Sequence, residues 1–123
     1  GIPLTKRGVS EIFWVVTATT KNHALSSDVS LAAKSTATIV ILMGMHKLNE
    51  IVKIFYAENK RNTHVAIIQN GTQSTENVGI GTIRNIQQIV QEKQLSSPAI
   101  IVIGDVVKER AILGAIYSEV VKT

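Results

Sequence analysis

Residues 36–43, TATIVILM, are the stretch on which the fold turns. The run is apolar without alternation and of strand length, the pattern of a strand covered on both faces by helices in the middle of a sheet. Working outward, Gly44 breaks it. Leu48, Ile51, Val52 and Phe55 then recur at i, i+3, i+4 and i+7, placing four large side chains on one helix face against that sheet.

Upstream, residues 9–18 (VSEIFWVVTA) concentrate β-branched and aromatic side chains and read as a buried strand, followed by a polar loop over 19–27. Ser26, Ser27 and Asp28 can cap a short helix through Leu31, Ala32 and Ala33, because their side-chain oxygens accept from first-turn amides; the helix stops near Ser35. Downstream, residues 60–63 turn the chain into a short buried strand over 64–69 (HVAIIQ), which ends at the turn signal Asn70-Gly71. Residues 76–82 (ENVGIGT) read as a weak edge strand because of their two glycines. Ile83, Ile86, Ile89 and Val90 define another amphipathic helix, with Thr82 as its expected cap. Ser97-Pro98 starts the last core strand over 99–103 (AIIVI); Gly104 ends it before an amphipathic C-terminal segment with Ile112, Ile116 and Val120.

Strands alternating with helices, most of them uniformly apolar, predict an α/β fold: a single three-layer sandwich with a mixed, mostly parallel sheet of about five strands flanked by helices. No repeat or linker divides residues 1–123, which read as one domain. In such sheets ligands sit where strands end and loops begin, which directs attention to Met43-Gly44, Asn70-Gly71-Thr72 and Gly104-Asp105.

Composition removes several function classes. With 45% hydrophobic and 18% charged residues the chain should fold rather than stay disordered. Its apolar runs all fall short of the roughly 20 residues a membrane-spanning helix needs. Residues 1–10 lack the apolar core and cleavage site of a secretory signal, and no cysteine points to an oxidising compartment, so a cytoplasmic location is expected. Gly1-Ile2-Pro3 is no natural translation start, and further sequence upstream is expected. The net charge of +4 is spread over dispersed basic residues without interleaved aromatics, which argues against a nucleic-acid partner; a small anionic ligand stays open. His23, His46 and His64 lie far apart with no Cys, giving no metal-ligand spacing and leaving surface or strand-end roles. Glycines 79 and 81 are followed by Arg84, so a Gly-x-Gly-x-x-Gly fingerprint fails, and neither a Gly-Lys-Ser/Thr phosphate loop nor a Gly-x-Ser-x-Gly elbow is present. Asn70-Gly71-Thr72 fits a glycosylation sequon, incidental without a secretory signal.

Four segments in order carry a resemblance: Gly1-Ile2-Pro3-Leu4-Thr5-Lys6-Arg7-Gly8, Leu42-Met43-Gly44, Gln69-Asn70-Gly71-Thr72, and Ser97-Pro98-Ala99 with Ile103-Gly104-Asp105-Val106-Val107. Each alone is weak, but together they span nearly the whole chain, which resembles the C-terminal domain of the uroporphyrinogen-III methyltransferases within the tetrapyrrole methylase family. Lys6 stands where that family usually has His, and Leu42 where it commonly has Tyr.

The resemblance implies a two-domain enzyme, usually a homodimer, with the methyl donor S-adenosylmethionine in the cleft between domains and S-adenosylhomocysteine as product. It implies two methyl transfers to uroporphyrinogen III, giving precorrin-2 on the route to sirohaem or cobalamin, with no membrane partner. The N-terminal domain, with the catalytic acid/base candidates, would lie outside this chain, leaving it inactive alone. Carried over by the resemblance, Met43 would touch the donor and border the tetrapyrrole, its polarizable thioether suiting an irregular ligand; a core gap-filler is the competing reading. Gly71 would let backbone approach the adenosine part, against a plain turn glycine. Ala66, Asn70, Thr72 and Ala99 would be neighbours of adenine or ribose. Arg7 would grip a substrate carboxylate, against an exposed solubilising Arg. Two alternatives stand beside this reading: methylation of a later corrinoid precursor, or a non-catalytic ligand-binding module with the same fold.

Overall fold

The structure, a computed structural model, describes residues 13–22, 24–69 and 77–108. Five strands form one sheet: β1 (Phe13–Thr17), β2 (Thr38–Leu42), β3 (His64–Gln69), β4 (Asn77–Thr82) and β5 (Ala99–Ile103), in the spatial order β1-β2-β5-β3-β4. Three helices accompany them among the described residues: α1 (Ser27–Ala33), α2 (Leu48–Ala57) and α3 (Ile86–Lys93).

The sheet is mixed, as expected, but not mostly parallel. Among the described residues only β1 and β2 pair parallel; β2 with β5, β5 with β3, and β3 with β4 all pair antiparallel. The reason is insertion. β1, β2 and β3 share one direction, but β5 runs the opposite way and lies between β2 and β3. An apolar run records burial on two faces and says nothing about the neighbour's direction.

Alternate residues of the central strands feed two cores. Ile39, Ile41, Val65, Ile67, Ile101 and Ile103 face all three helices, meeting Val29, Ala32 and Ala33 of α1, Ile51 and Phe55 of α2, and Ile86 of α3. Each fully buried Ile or Phe contributes roughly 1.5–3 kcal/mol, so this face dominates stability. Val40, Ala66, Ile68, Ile100 and Val102 form the second core with Val107. The C-terminal segment through Ile112, Ile116 and Val120 lies outside the described residues, so the expected second helix layer is not among them.

The strand read from 9–18 differs in burial. Its described part, β1, is an edge strand among the described residues, where it pairs with β2 alone, and its Trp14 and Val15 are 39% and 46% exposed. β4 is the other edge, as its glycines suggested.

The α2 face is as read, with Leu48, Ile51, Val52 and Phe55 all buried. Ser26 caps α1, its hydroxyl accepting from the Asp28 amide at 3.2 Å. Thr82 does not cap α3: it ends β4, and its amide donates to Asn85 Oδ1 at 2.8 Å across the turn that delays the helix to Ile86. At the C-terminal end of α2, Lys60 Nζ donates to the Ser35 carbonyl, tying that end to the link between α1 and β2.

Candidate functional site

Because β5 and β4 run against β1, β2 and β3, the last residues of three strands and the first residues of two meet at one edge: Thr17, Leu42, Gln69, Asn77 and Ala99. A cleft of about 550 Å³ opens there, lined by Thr19, residues 43–47 and residues 97–99.

Met43 leaves β2 with φ +56°, in the left-handed region, and its side chain is 68% exposed at the cleft. A bulky non-glycine residue there is an outlier that costs about 1–2 kcal/mol. Such strain collects at functional sites, where the surroundings hold it in place. Those surroundings begin with Gly44, which is buried so tightly that a Cβ would fall 2.8 Å from Ile41 Cγ2 and 3.1 Å from Ile101 Cδ1. The sharp exit of the chain over the core therefore requires glycine at 44, and it turns Met43 outward. A 3₁₀ turn, Met45–Lys47, then lines the cleft before α2 begins.

The start of β5 belongs to the same wall. Antiparallel pairing of Ile41 with Ile101 brings the segment Ser97-Pro98-Ala99 alongside Met43, with the Ser97–Pro98 peptide cis. Gln69, ending β3, braces this wall: its Oε1 accepts from the Ser96 amide at 3.0 Å. Beyond β1, the Ala18 amide donates to the Leu42 carbonyl at 2.8 Å, carrying Thr19 to the cleft.

Of the residues singled out in the sequence, Met43 and Ala99 are brought together here. Ala66 is not. It lies mid-strand, fully buried between Ile80 and Val102 in the second core. Arg7, Asn70, Gly71 and Thr72 lie outside the described residues, although Gln69, the chain neighbour of Asn70, ends at the cleft edge. Gly104 and Asp105 sit at the opposite end of the sheet, because β5 runs antiparallel to β2. They border a separate hollow of about 290 Å³ with Ser35, Phe55, Lys60 and Thr63. Thr19, His46 and Lys47 were not read as site residues. The signal available for the last two was their position one residue beyond the Met43-Gly44 pair.

Residues 1–87, more than half of the chain, match the family of tetrapyrrole (corrin/porphyrin) methylases. The chain belongs to the tetrapyrrole methylase family. Within it, the chain is similar to an S-adenosyl-L-methionine-dependent uroporphyrinogen III methyltransferase of Methanosarcina barkeri, 36% identical over 118 residues, covering 93% of this chain and 46% of that protein. A siroheme synthase of Nitrosomonas eutropha is 36% identical over 111 residues, covering 89% of this chain and 23% of that protein. Among solved structures, the uroporphyrin-III C-methyltransferase of Thermus thermophilus complexed with S-adenyl homocysteine superposes with a TM-score of 0.74 at 20% identity, over 86% of this chain and 47% of that one. That likeness shows the fold. The chain thus spans less than half the length of these tetrapyrrole methylase relatives.

Met43, Gly44, Met45, Pro98 and Ala99 supply an apolar floor to the cleft, with one exposed thioether, and the space is open on one side. It is half a surface, able to position a ligand but not to enclose it.

Proposed function

We propose that residues 1–123 are the C-terminal domain of an S-adenosylmethionine-dependent methyltransferase that methylates uroporphyrinogen III twice to give precorrin-2, serving sirohaem or cobalamin formation. The N-terminal domain, outside these residues, supplies the other wall of the cleft, and the chain alone is inactive. The observation that carries this reading is Met43: a strained, exposed thioether at a strand end, beside Ala99 in a cleft, in a chain of this family.

S-adenosylmethionine, when bound, supplies a methyl group on a sulfonium, which an electron-rich pyrrole carbon attacks in line as S-adenosylhomocysteine leaves. For such a displacement a protein mainly orients two reactants and excludes water. Met43 and Ala99 form the apolar wall against which the donor lies; Met43, reaching furthest out, also borders the tetrapyrrole. Asn70, Gly71 and Thr72, following Gln69, approach the adenosine, and Arg7 receives a substrate carboxylate. Ala66, buried in the second core, supports the β3 backbone in this reading rather than touching the ligand.

The enzyme works as a homodimer in the cytoplasm. Exposed Trp14, Val15 and Leu31, beside β1 at the sheet edge among the described residues, support association of copies, and a sequence without cysteine suits a reducing compartment.

The reading is tested by calorimetric titration of S-adenosylhomocysteine into this chain and into a longer form joined to an N-terminal methylase domain. Tight binding is expected for the longer form alone. Equal affinity for both would contradict a cleft shared between domains, and no binding to either would leave a non-catalytic module.

A further inference from the structure

The cleft carries basic side chains at its rim. Among the described residues that line it, Lys47 and His46 are basic residues and none is acidic. An ammonium attracts an anionic group and not a sulfonium, so Lys47 suits a carboxylate-bearing partner at the rim of the cleft. Lys47 ends the 3₁₀ turn that follows Gly44, and its ammonium lies 3.5 Å from Glu50 in the first turn of α2. That carboxylate holds the lysine at the rim without consuming it, since Glu50 is 52% exposed and such pairs yield to a competing carboxylate.

We infer that Lys47, with His46 beside it, receives a carboxylate of the tetrapyrrole and sets the preference of the cleft for a more highly carboxylated ring. The inference rests on the tetrapyrrole reading above. An ammonium is a compact cation with three donors on a flexible stem, so it can follow a side-chain carboxylate on a bulky ring where a rigid contact could not. Charge-assisted hydrogen bonds of this kind are among the stronger polar contacts. Each added carboxylate on the ring raises the chance that one reaches the rim.

The test uses the two-domain form with two air-stable porphyrins, uroporphyrin III (an octacarboxylate) and coproporphyrin III (a tetracarboxylate), followed by porphyrin fluorescence anisotropy. Wild type should bind uroporphyrin more tightly. Lys47→Gln should weaken uroporphyrin about ten-fold and shrink the preference, while Lys47→Arg should retain most of both. Lys53→Gln removes the same charge from an exposed position on α2 away from the cleft and should change nothing. Affinity for S-adenosylhomocysteine should not follow Lys47. Far-UV circular dichroism confirms that each variant folds. If wild type binds neither porphyrin, the tetrapyrrole reading fails and takes this inference with it. If wild type binds and Lys47→Gln matches it, only the inference fails. Equal loss in Lys53→Gln, or a parallel loss of S-adenosylhomocysteine, overturns it too, by assigning the effect to net charge or to the donor's own carboxylate.

Discussion

The side chain of Gln69 reaches from the end of β3 to the backbone amide of Ser96, 3.0 Å away, and so fixes the segment that becomes one wall of the cleft. Ser96 precedes Ser97, Pro98 and Ala99, all of which line that wall, and Gln69 pairs with Ala99 in the ladder as well. Two strands are thereby locked at the point where a ligand would press on them.

Removing this brace should loosen the wall more than it weakens the fold. Gln69→Ala deletes one partly exposed hydrogen bond, a loss of about 1 kcal/mol, and frees the 96–98 segment. Thermal denaturation should show a small drop, while calorimetry on the two-domain form should show weaker S-adenosylhomocysteine binding. Gln69→Glu keeps an acceptor for the Ser96 amide and should recover both. An Ala variant with unchanged affinity would remove Gln69 from any positioning role.

How far the sequence reached is clearest at α2 and at Met43. Leu48, Ile51, Val52 and Phe55 could be placed on one face because helical period is a local property, and all four are buried. Strand positions for β2, β3 and β5 were legible for the same reason. Their directions were not, because Ile101 facing Ile41 antiparallel depends on a chain reversal many residues away. The site inherits that limit: Met43 and Ala99 could each be suspected, but only the register of β2 with β5 makes them neighbours in one cleft. The left-handed backbone at Met43 had no signal in its own identity, since methionine has no preference for it; the pressure comes from the core beneath Gly44. Ala66 went the other way. Resemblance pointed to it, yet strand alternation turns its methyl into the second core.

Lys60 gives a pH-dependent prediction at the opposite end of the molecule. Burial pushes its amine below the ordinary 10.5, opposed by the nearby Glu58 carboxylate. In the window just below 10.5 the unfolded chain then binds more protons than the folded one, so stability gains as pH rises through it and is least favoured by this group at neutral pH. A neutral amine can still donate to the Ser35 carbonyl. Urea unfolding of wild type and Lys60→Met should therefore show the difference moving in favour of wild type as pH is raised from neutral toward 10.5. A difference that stays flat, or moves the other way, would show that the folded amine is not desolvated.

Met43 offers the sharpest separation of function from stability. Its φ of +56° is a conformation glycine adopts freely, and its side chain is 68% exposed, so Met43→Gly relieves backbone strain while forfeiting little packing. The variant should be as stable as wild type, or more so by about 1 kcal/mol, in chemical denaturation. In the two-domain form it should nevertheless bind S-adenosylhomocysteine several-fold more weakly and turn over slowly, because the thioether wall is gone. A residue kept only for folding would give the opposite pattern, losing stability with affinity intact. Strain retained at 43 despite a cheaper glycine is understandable only if the side chain is needed outside the core, and Met43→Leu, which restores bulk without sulfur, then reports whether shape or polarizability is what the ligand reads.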